Sequence, residues 1–118
     1  MWSVEFTDEF GLWWESLGKD QQDAVDRAVG LLRECGPSLG RPQADTLKRS
    51  RHANMKELRT QHRGSPFRVF FAFDPRRTAI LLIGGDKTGD DRFYERMIPV
   101  ADSLFDAYLI ELKREGLV

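Results

Sequence analysis

The sequence predicts an α+β domain in the order β-α-α-β-β-β-α, with an antiparallel sheet as its core, an N-terminal helical hairpin on one face and a C-terminal helix. Three observations carry this expectation. The runs Phe67-Arg68-Val69-Phe70-Phe71-Ala72-Phe73 and Ile80-Leu81-Leu82-Ile83 are apolar at almost every position, the mark of strands covered on both faces. Upstream of them, two segments ending at Gly36-Pro37 repeat apolar residues at helical spacing. After Pro99 a third such stripe begins. The 118 residues fit one domain spanning 1–118, without internal repeat or low-complexity tract.

Trp2, Val4 and Phe6 alternate with Ser3 and Glu5, the period of a half-buried strand. Thr7 is placed to cap a helix, with Asp8 and Glu9 in the first turn, where the helix dipole favours acids. Phe10, Trp13, Trp14 and Leu17 form its apolar face, and that spacing suits a core stripe better than a base-stacking platform. Gly18 breaks the helix, and Asp20 is the candidate cap of a second one, with Val25, Ala28, Val29 and Leu32 inside. Gly36-Pro37 ends it. Residues 38–54 are a long connection rich in Gly, Pro and basic residues, and Thr46-Leu47-Lys48 could start a strand within it.

Three strands then follow through Lys87, with turns at His62–Pro66 and Asp74–Arg77. The segment Gly84-Gly85-Asp86-Lys87-Thr88-Gly89 would let backbone approach a ligand closely, but it lacks the spacing of a Walker loop. Asp90–Met97 reads as a helical turn or a loop. Pro99 suits the first turn of the last helix, with Ala101, Leu104, Phe105, Tyr108, Leu109 and Leu112 as its apolar face. The first strand precedes both helices, so it must rejoin the sheet at an edge or beside a later strand.

Composition narrows the function classes. No run of about eighteen apolar residues exists, so no membrane span is expected. The opening Met-Trp-Ser-Val-Glu-Phe lacks the basic-then-apolar pattern of a secretory signal, and a cytoplasmic protein is expected. The single cysteine, Cys35, cannot form an internal disulfide and reads as a small core residue. His52 and His62 have no acid or thiol cluster at ligand spacing, which points away from a zinc site. The net charge of −1 hides an asymmetry. Residues 37–89 hold 11 Lys/Arg against 4 Asp/Glu, whereas residues 1–36 hold 3 against 8 and residues 90–118 hold 4 against 7. A basic face between acidic flanks is the footprint of phosphate binding.

Arg68 sharpens this reading, because an arginine inside a buried strand must be paired or used. Arg59 ends Glu57-Leu58-Arg59 on the preceding strand and can lie near Arg68 across the sheet, and Lys87 closes the next strand. Three cations on one sheet surface with few acids nearby suggest an anion site. The alternative is that Arg68 pairs with Glu57 in a structural arrangement.

The element order, Glu57-Leu58-Arg59, Phe67-Arg68-Val69-Phe70-Phe71 after a short polar turn, and the hydrophobic strand closed by Lys87 together resemble the RelE/ParE toxin superfamily, in its HigB-like, phage-related branch. The resemblance covers nearly the whole chain. It implies a toxin of a type II toxin–antitoxin pair and a messenger-RNA endonuclease acting on the ribosome. A ParE-like DNA gyrase inhibitor and a non-catalytic antitoxin-binding module are the alternatives. It places Arg68 at the scissile phosphate, Arg59 beside it, Lys87 at transition-state charge and Tyr94 near a tyrosine of proton transfer or base stacking. It further implies a cognate antitoxin, often with a helix-turn-helix DNA-binding domain; the chemistry requires no cofactor, and the basic surplus makes Lys48, Arg49, Arg51, Lys56 and Arg63 the candidate RNA contacts. Two departures stand out. Glu57 occupies a position where RelE-like enzymes carry a lysine, and the histidine-rich C-terminal site of some HigB toxins is missing.

RNA brings its own nucleophile, the 2′-OH. Cleavage needs that hydroxyl deprotonated, the phosphorane charge stabilised and the 5′-oxygen protonated. Arginine forks suit the second task. For the general base the sequence leaves His62, Glu57 and Tyr94 open, and only His62 has an ordinary pKa near neutrality.

Overall fold

The computed structural model describes residues 1–118. Its elements are β1 (Val4–Phe6), α1 (Asp8–Glu15), α2 (Lys19–Cys35), a short 3-10 turn at Gly36–Ser38, β2 (Ala44–Thr46), β3 (Lys56–His62), β4 (Ser65–Phe73), β5 (Ala79–Asp86) and α3 (Phe93–Arg114). The five strands form one sheet in the order β1-β5-β4-β3-β2. β1 runs parallel to β5 at one edge, and all other pairings are antiparallel. The expected meander is therefore present and extended at both edges, by β1 on one side and by β2 on the other.

The sheet is covered on both faces. Against one lie α1 and α2, whose Phe10, Val25, Val29 and Leu32 pack with Leu58, Phe67, Val69 and Phe71. Against the other lies α3, whose Phe93, Ile98, Ala101 and Phe105 pack with Phe70, Ala72, Ile80 and Leu82. This double cover explains why β4 and β5 read as apolar throughout. Alternation along β4 sends Phe67, Val69 and Phe71 to the helical hairpin and Arg68, Phe70 and Ala72 to α3.

Several boundaries differ from the sequence reading, each for a physical reason. The short strand before β3 is Ala44–Thr46 rather than one starting at Thr46, because Ala44 is the fully buried residue that docks under Leu58. The cap of α2 is Gly18 rather than Asp20: the Gln21 side chain accepts from Gly18 N at 2.8 Å, so Asp20 falls inside the first turn. The β3–β4 turn is only Arg63-Gly64, both at positive φ (51° and 84°), and Ser65 and Pro66 already belong to β4. Such a pair of left-handed residues makes the tight hairpin turn that matches strand twist. The last helix starts at Phe93, which puts Pro99 inside it. Proline has no N–H, so the carbonyl of Glu95 lacks its intrahelical donor. Cys35 is half-buried at the end of α2 rather than a core residue.

The Thr7 cap is as expected. Its hydroxyl oxygen accepts from Phe10 N at 3.0 Å and donates to Leu82 O at 2.7 Å, tying α1 to β5.

The paired glycines of β5 serve packing rather than ligand approach. A Cβ on Gly84 would sit 2.3 Å from the Trp13 ring of α1, and one on Gly85 would sit 2.8 Å from the Phe93 ring of α3. One aromatic ring from each helix layer thus presses onto bare backbone, on opposite faces of the sheet. No helix is long and apolar enough to cross a membrane.

Candidate nucleic-acid interface

The register places Arg59 of β3 opposite Arg68 of β4, and Arg68 opposite Gly85 of β5. Both side chains therefore share the face toward α3. Like charges directly opposite each other across a strand pair repel, and Glu57 resolves the conflict. Two residues before Arg59 on the same face, it is 2% exposed. Arg59 donates to its Oε2 from Nε (3.2 Å) and Nη2 (3.0 Å). Arg68 Nε lies 3.5 Å from its Oε1. Tyr94, on the first turn of α3, donates from its hydroxyl to Oε1 at 2.7 Å. Arg68 also donates from Nε toward the Tyr94 hydroxyl at 3.3 Å and from Nη1 to Phe67 O at 3.0 Å.

Burial raises the Tyr94 pKa, and the hydrogen bond to Glu57 raises it further. The phenol is therefore held protonated at neutral pH. Lys87 completes the cluster, with Nζ 5.8 Å from the centre of the Tyr94 ring. Phe93 positions Tyr94: because Phe93 sinks onto Gly85, its neighbour is set over the Arg68 side of the sheet.

The sequence suggested few acids near these cations, and the structure corrects this. Glu57 is at the centre, and Asp45 of β2 accepts from Arg59 Nη2 at 3.2 Å and from Arg41 Nη2 at 2.9 Å. Asp45 and Glu57 are themselves cross-strand partners, so Arg59 also neutralises a pair of facing carboxylates. The pairing of Arg68 with Glu57 is thus real, and the cations still gather where an anion site was expected.

Not every residue singled out in the sequence joins this cluster. Thr60 donates to Ala24 O of α2, so the even-numbered positions of β3 face the helical hairpin. Lys56 and His62 share that parity and lie on the opposite face from Arg59 and Arg68. Arg63 sits in the hairpin turn, 3.7 Å from Asp20 of α2. Lys48 and Arg49 do reach the site: with Arg59, Glu57 and Tyr94 they line a cleft of about 430 Å³ between residues 45–49 and the start of α3. Arg51 belongs to a different assembly, its guanidinium held by Asp106 of α3 at 2.7 Å.

That assembly accounts for residues 50–54, for which the sequence offered no reading. Buried Asp102 accepts from Ser50 Oγ and from Arg51 N, and His52 Nε2 lies 2.7 Å from Asp106. The loop is latched to α3 and so holds Lys48 and Arg49 beside the cleft. A second latch joins Glu5 of β1 to Arg76 (2.9 Å) and to Tyr108 of α3 (2.5 Å), with Arg76 also on buried Asp74. Both latches join residues far apart in the chain, so neither left a local signal in the sequence.

A sheet covered by helices on both faces is a fold shared with the RelE toxin of E. coli. The crystal structure of the isolated E. coli RelE toxin superposes with a TM-score of 0.53 at 12% identity, covering 85% of this chain and 99% of that one. A RelE mutant in the free state gives 0.56 at 12% identity, over 81% and 94%. Sequence relationship is more specific. Residues 12–106 match the family described as Phage derived protein Gp49-like (DUF891), and the chain belongs to that family. It is 46% identical over 98 residues to the "Putative toxin HigB3" of Mycobacterium tuberculosis (strain ATCC 25618 / H37Rv), covering 82% of this chain and 84% of that protein. To "Putative toxin HigB2" of the same strain it is 39% identical over 114 residues, covering 95% of this chain and 56% of that longer protein. The chain belongs with the HigB-type toxins, as its sequence motifs suggested, and shares the RelE fold; such a toxin has an antitoxin as partner.

Proposed function

We propose that this toxin inhibits translation by cutting messenger RNA, with Arg59, Arg68 and Lys87 around the scissile phosphate. The observation that carries the reading is the cluster itself: two arginines and a lysine converge beside a protonated tyrosine whose hydroxyl is hydrogen-bonded to a buried carboxylate. In the free protein Glu57 occupies the arginine forks. An incoming phosphate offers them a second, more exposed set of acceptor oxygens, and Arg68 and Arg59 stabilise the charge that grows on the phosphorane.

The proton path follows the same hydrogen bonds. Glu57 is too buried to meet a ribose, so the 2′-OH proton passes to the Tyr94 oxygen as Tyr94 gives its own proton to Glu57 at 2.7 Å. Lys87 supplies the proton to the departing 5′-oxygen. His62, on the other face of the sheet, has no part in this scheme. The gyrase-inhibitor alternative is not favoured, since the curated relatives are HigB-type toxins. The same kinship supports messenger RNA on the ribosome as the substrate and an antitoxin carrying a helix-turn-helix domain as the partner.

The test is induced expression of wild type and Arg68→Ala in bacteria, with mapping of new RNA 5′ ends. Growth arrest with in-frame cuts in translated messages, lost in the variant, supports the proposal. Arrest with intact messages overturns it.

A further inference from the structure

The cleft beside the cluster has two walls of opposite charge that do not close on each other. Lys48 and Arg49 stand on the 45–49 side, and Asp91 and Glu95 on the α3 side, lining a space of about 430 Å³. None of these four makes a hydrogen bond or ion pair through its side chain, although nearby charges such as Arg41, Asp45 and Arg96 are all paired. Tyr94 and Ile98 supply an aromatic and apolar floor, and the cleft opens along α3 into a second depression that shares Arg49, Tyr94, Glu95 and Ile98.

A ligand that fits must present an anion to one wall, N–H donors to the other and a flat face to the floor. A nucleotide does all three, and the volume lies within the range of small-molecule sites. Glu95 borders both depressions, and Pro99 leaves its backbone carbonyl without a helical donor, so this wall offers acceptors only. Acceptors alone discriminate among bases on their Watson–Crick edges, the edges that proteins read in single-stranded RNA. Guanine offers two adjacent donors to a carboxylate, and adenine and cytosine offer an amino group. Uracil flanks its single donor with two carbonyls that repel a carboxylate.

We propose that this cleft is a base-reading subsite for the nucleotide next to the cut bond, with Glu95 as the residue that selects amino-bearing bases, guanine first and uracil last. The inference rests on the RNA-cleaving reading above. Lys48 and Arg49 hold the flanking phosphate, and Tyr94 joins the subsite to the reacting centre.

The experiment maps the cut sites of wild type, Glu95→Gln and Glu95→Ala in total RNA from cells at equal growth arrest, and compares base frequencies on either side of the cut. A carboxylate–base contact is worth about a 5- to 100-fold preference. Wild type should therefore show depletion of uracil at one flanking position by at least about fivefold. Glu95→Ala should abolish that bias. Glu95→Gln, whose amide can also donate, should admit uracil there. Base frequencies unchanged in both variants overturn the subsite, as does a wild type that cuts without bias at both flanking positions. A change in antitoxin affinity with unchanged base frequencies would overturn it in favour of a peptide occupant. Absence of any new 5′ ends in wild type is a different result: it removes the RNA-cleaving reading and the subsite with it.

Discussion

Arg59 and Arg68 are direct cross-strand partners, and the Glu57 carboxylate lies against both guanidinium groups. The repulsion that this pairing would cause is balanced inside the protein, and the same balance keeps two phosphate-binding groups in place on a half-buried surface.

Removing Glu57 should destabilise the fold more than removing either arginine. Glu57→Ala leaves two cations on a poorly hydrated face, and breaking a buried ion pair from one side costs about 3–5 kcal/mol. Thermal unfolding of Glu57→Ala, Arg59→Ala and Arg68→Ala checks the order. Equal midpoints for all three would contradict the role given to Glu57. Arg68→Lys should preserve stability better than Arg68→Ala yet still lose RNA cutting by about 10²-fold or more, since an ammonium lacks the planar fork.

The two glycines of β5 should separate stability from activity. Gly84→Ala drives a methyl into Trp13 and should cost about 1–3 kcal/mol, read as a lower urea midpoint and a changed tryptophan fluorescence. Gly85→Ala meets Phe93 instead, at 2.8 Å, and must shift the residue that sets Tyr94 over Arg68. Its cutting rate, measured at a temperature where it remains folded, should therefore fall further than that of Gly84→Ala.

Both tyrosines of the chain should titrate late. Burial and a bond to Glu57 raise Tyr94, and burial and a bond to Glu5 push Tyr108 up to about 12. At about pH 10 the folded protein should show less tyrosinate absorbance than the protein in concentrated denaturant, where both groups take the ordinary phenol pKa. For a phenol with a raised folded pKa, the stabilisation is complete below the unfolded value and disappears as pH rises through the folded value. Unfolding should thus become easier between about pH 10 and 12. Half of the full tyrosinate signal appearing at about pH 10 in folded protein would refute the raised pKa of both, since that is what two ordinary phenols give.

Acid should weaken the two latches. Arg76 and then Tyr108 hold the Glu5 carboxyl below its ordinary range, and Arg51 and then His52 do the same for Asp106. A depressed carboxyl stabilises the fold above its unfolded pKa, and that contribution is lost as pH falls through the folded value. The urea midpoint should therefore decline from about pH 4 downward. Glu5→Gln and Asp106→Asn should each flatten part of that decline, because the variants have no carboxyl to protonate at these positions. An unchanged acid limb in both would show that the latches contribute nothing to it.

The apolar runs of β4 and β5, the helical stripes and the Thr7 cap were legible because each is a local consequence of period, propensity or capping chemistry. So was the oddity of Arg68, since a charge inside such a run demands a partner or a task. Lys48 and Arg49 were legible only as surplus charge. Glu57 was ambiguous, because its distance from Tyr94 along the chain hides a hydrogen bond made only when α3 folds back over the sheet. Alternation along the strand already turns Lys56 away from Glu57, and the structure, by continuing β3 through His62 with Thr60 on the helical hairpin, decided that His62 faces away too. The structure alone showed that the glycine pair receives rings rather than a ligand, and that residues 50–54 are latched by Asp102 and Asp106. By itself the sequence determined the elements, the basic face and the identity of the cations. Which of them converge was decided by register and by helix packing, because contact between residues far apart in the chain is set by how the layers stack.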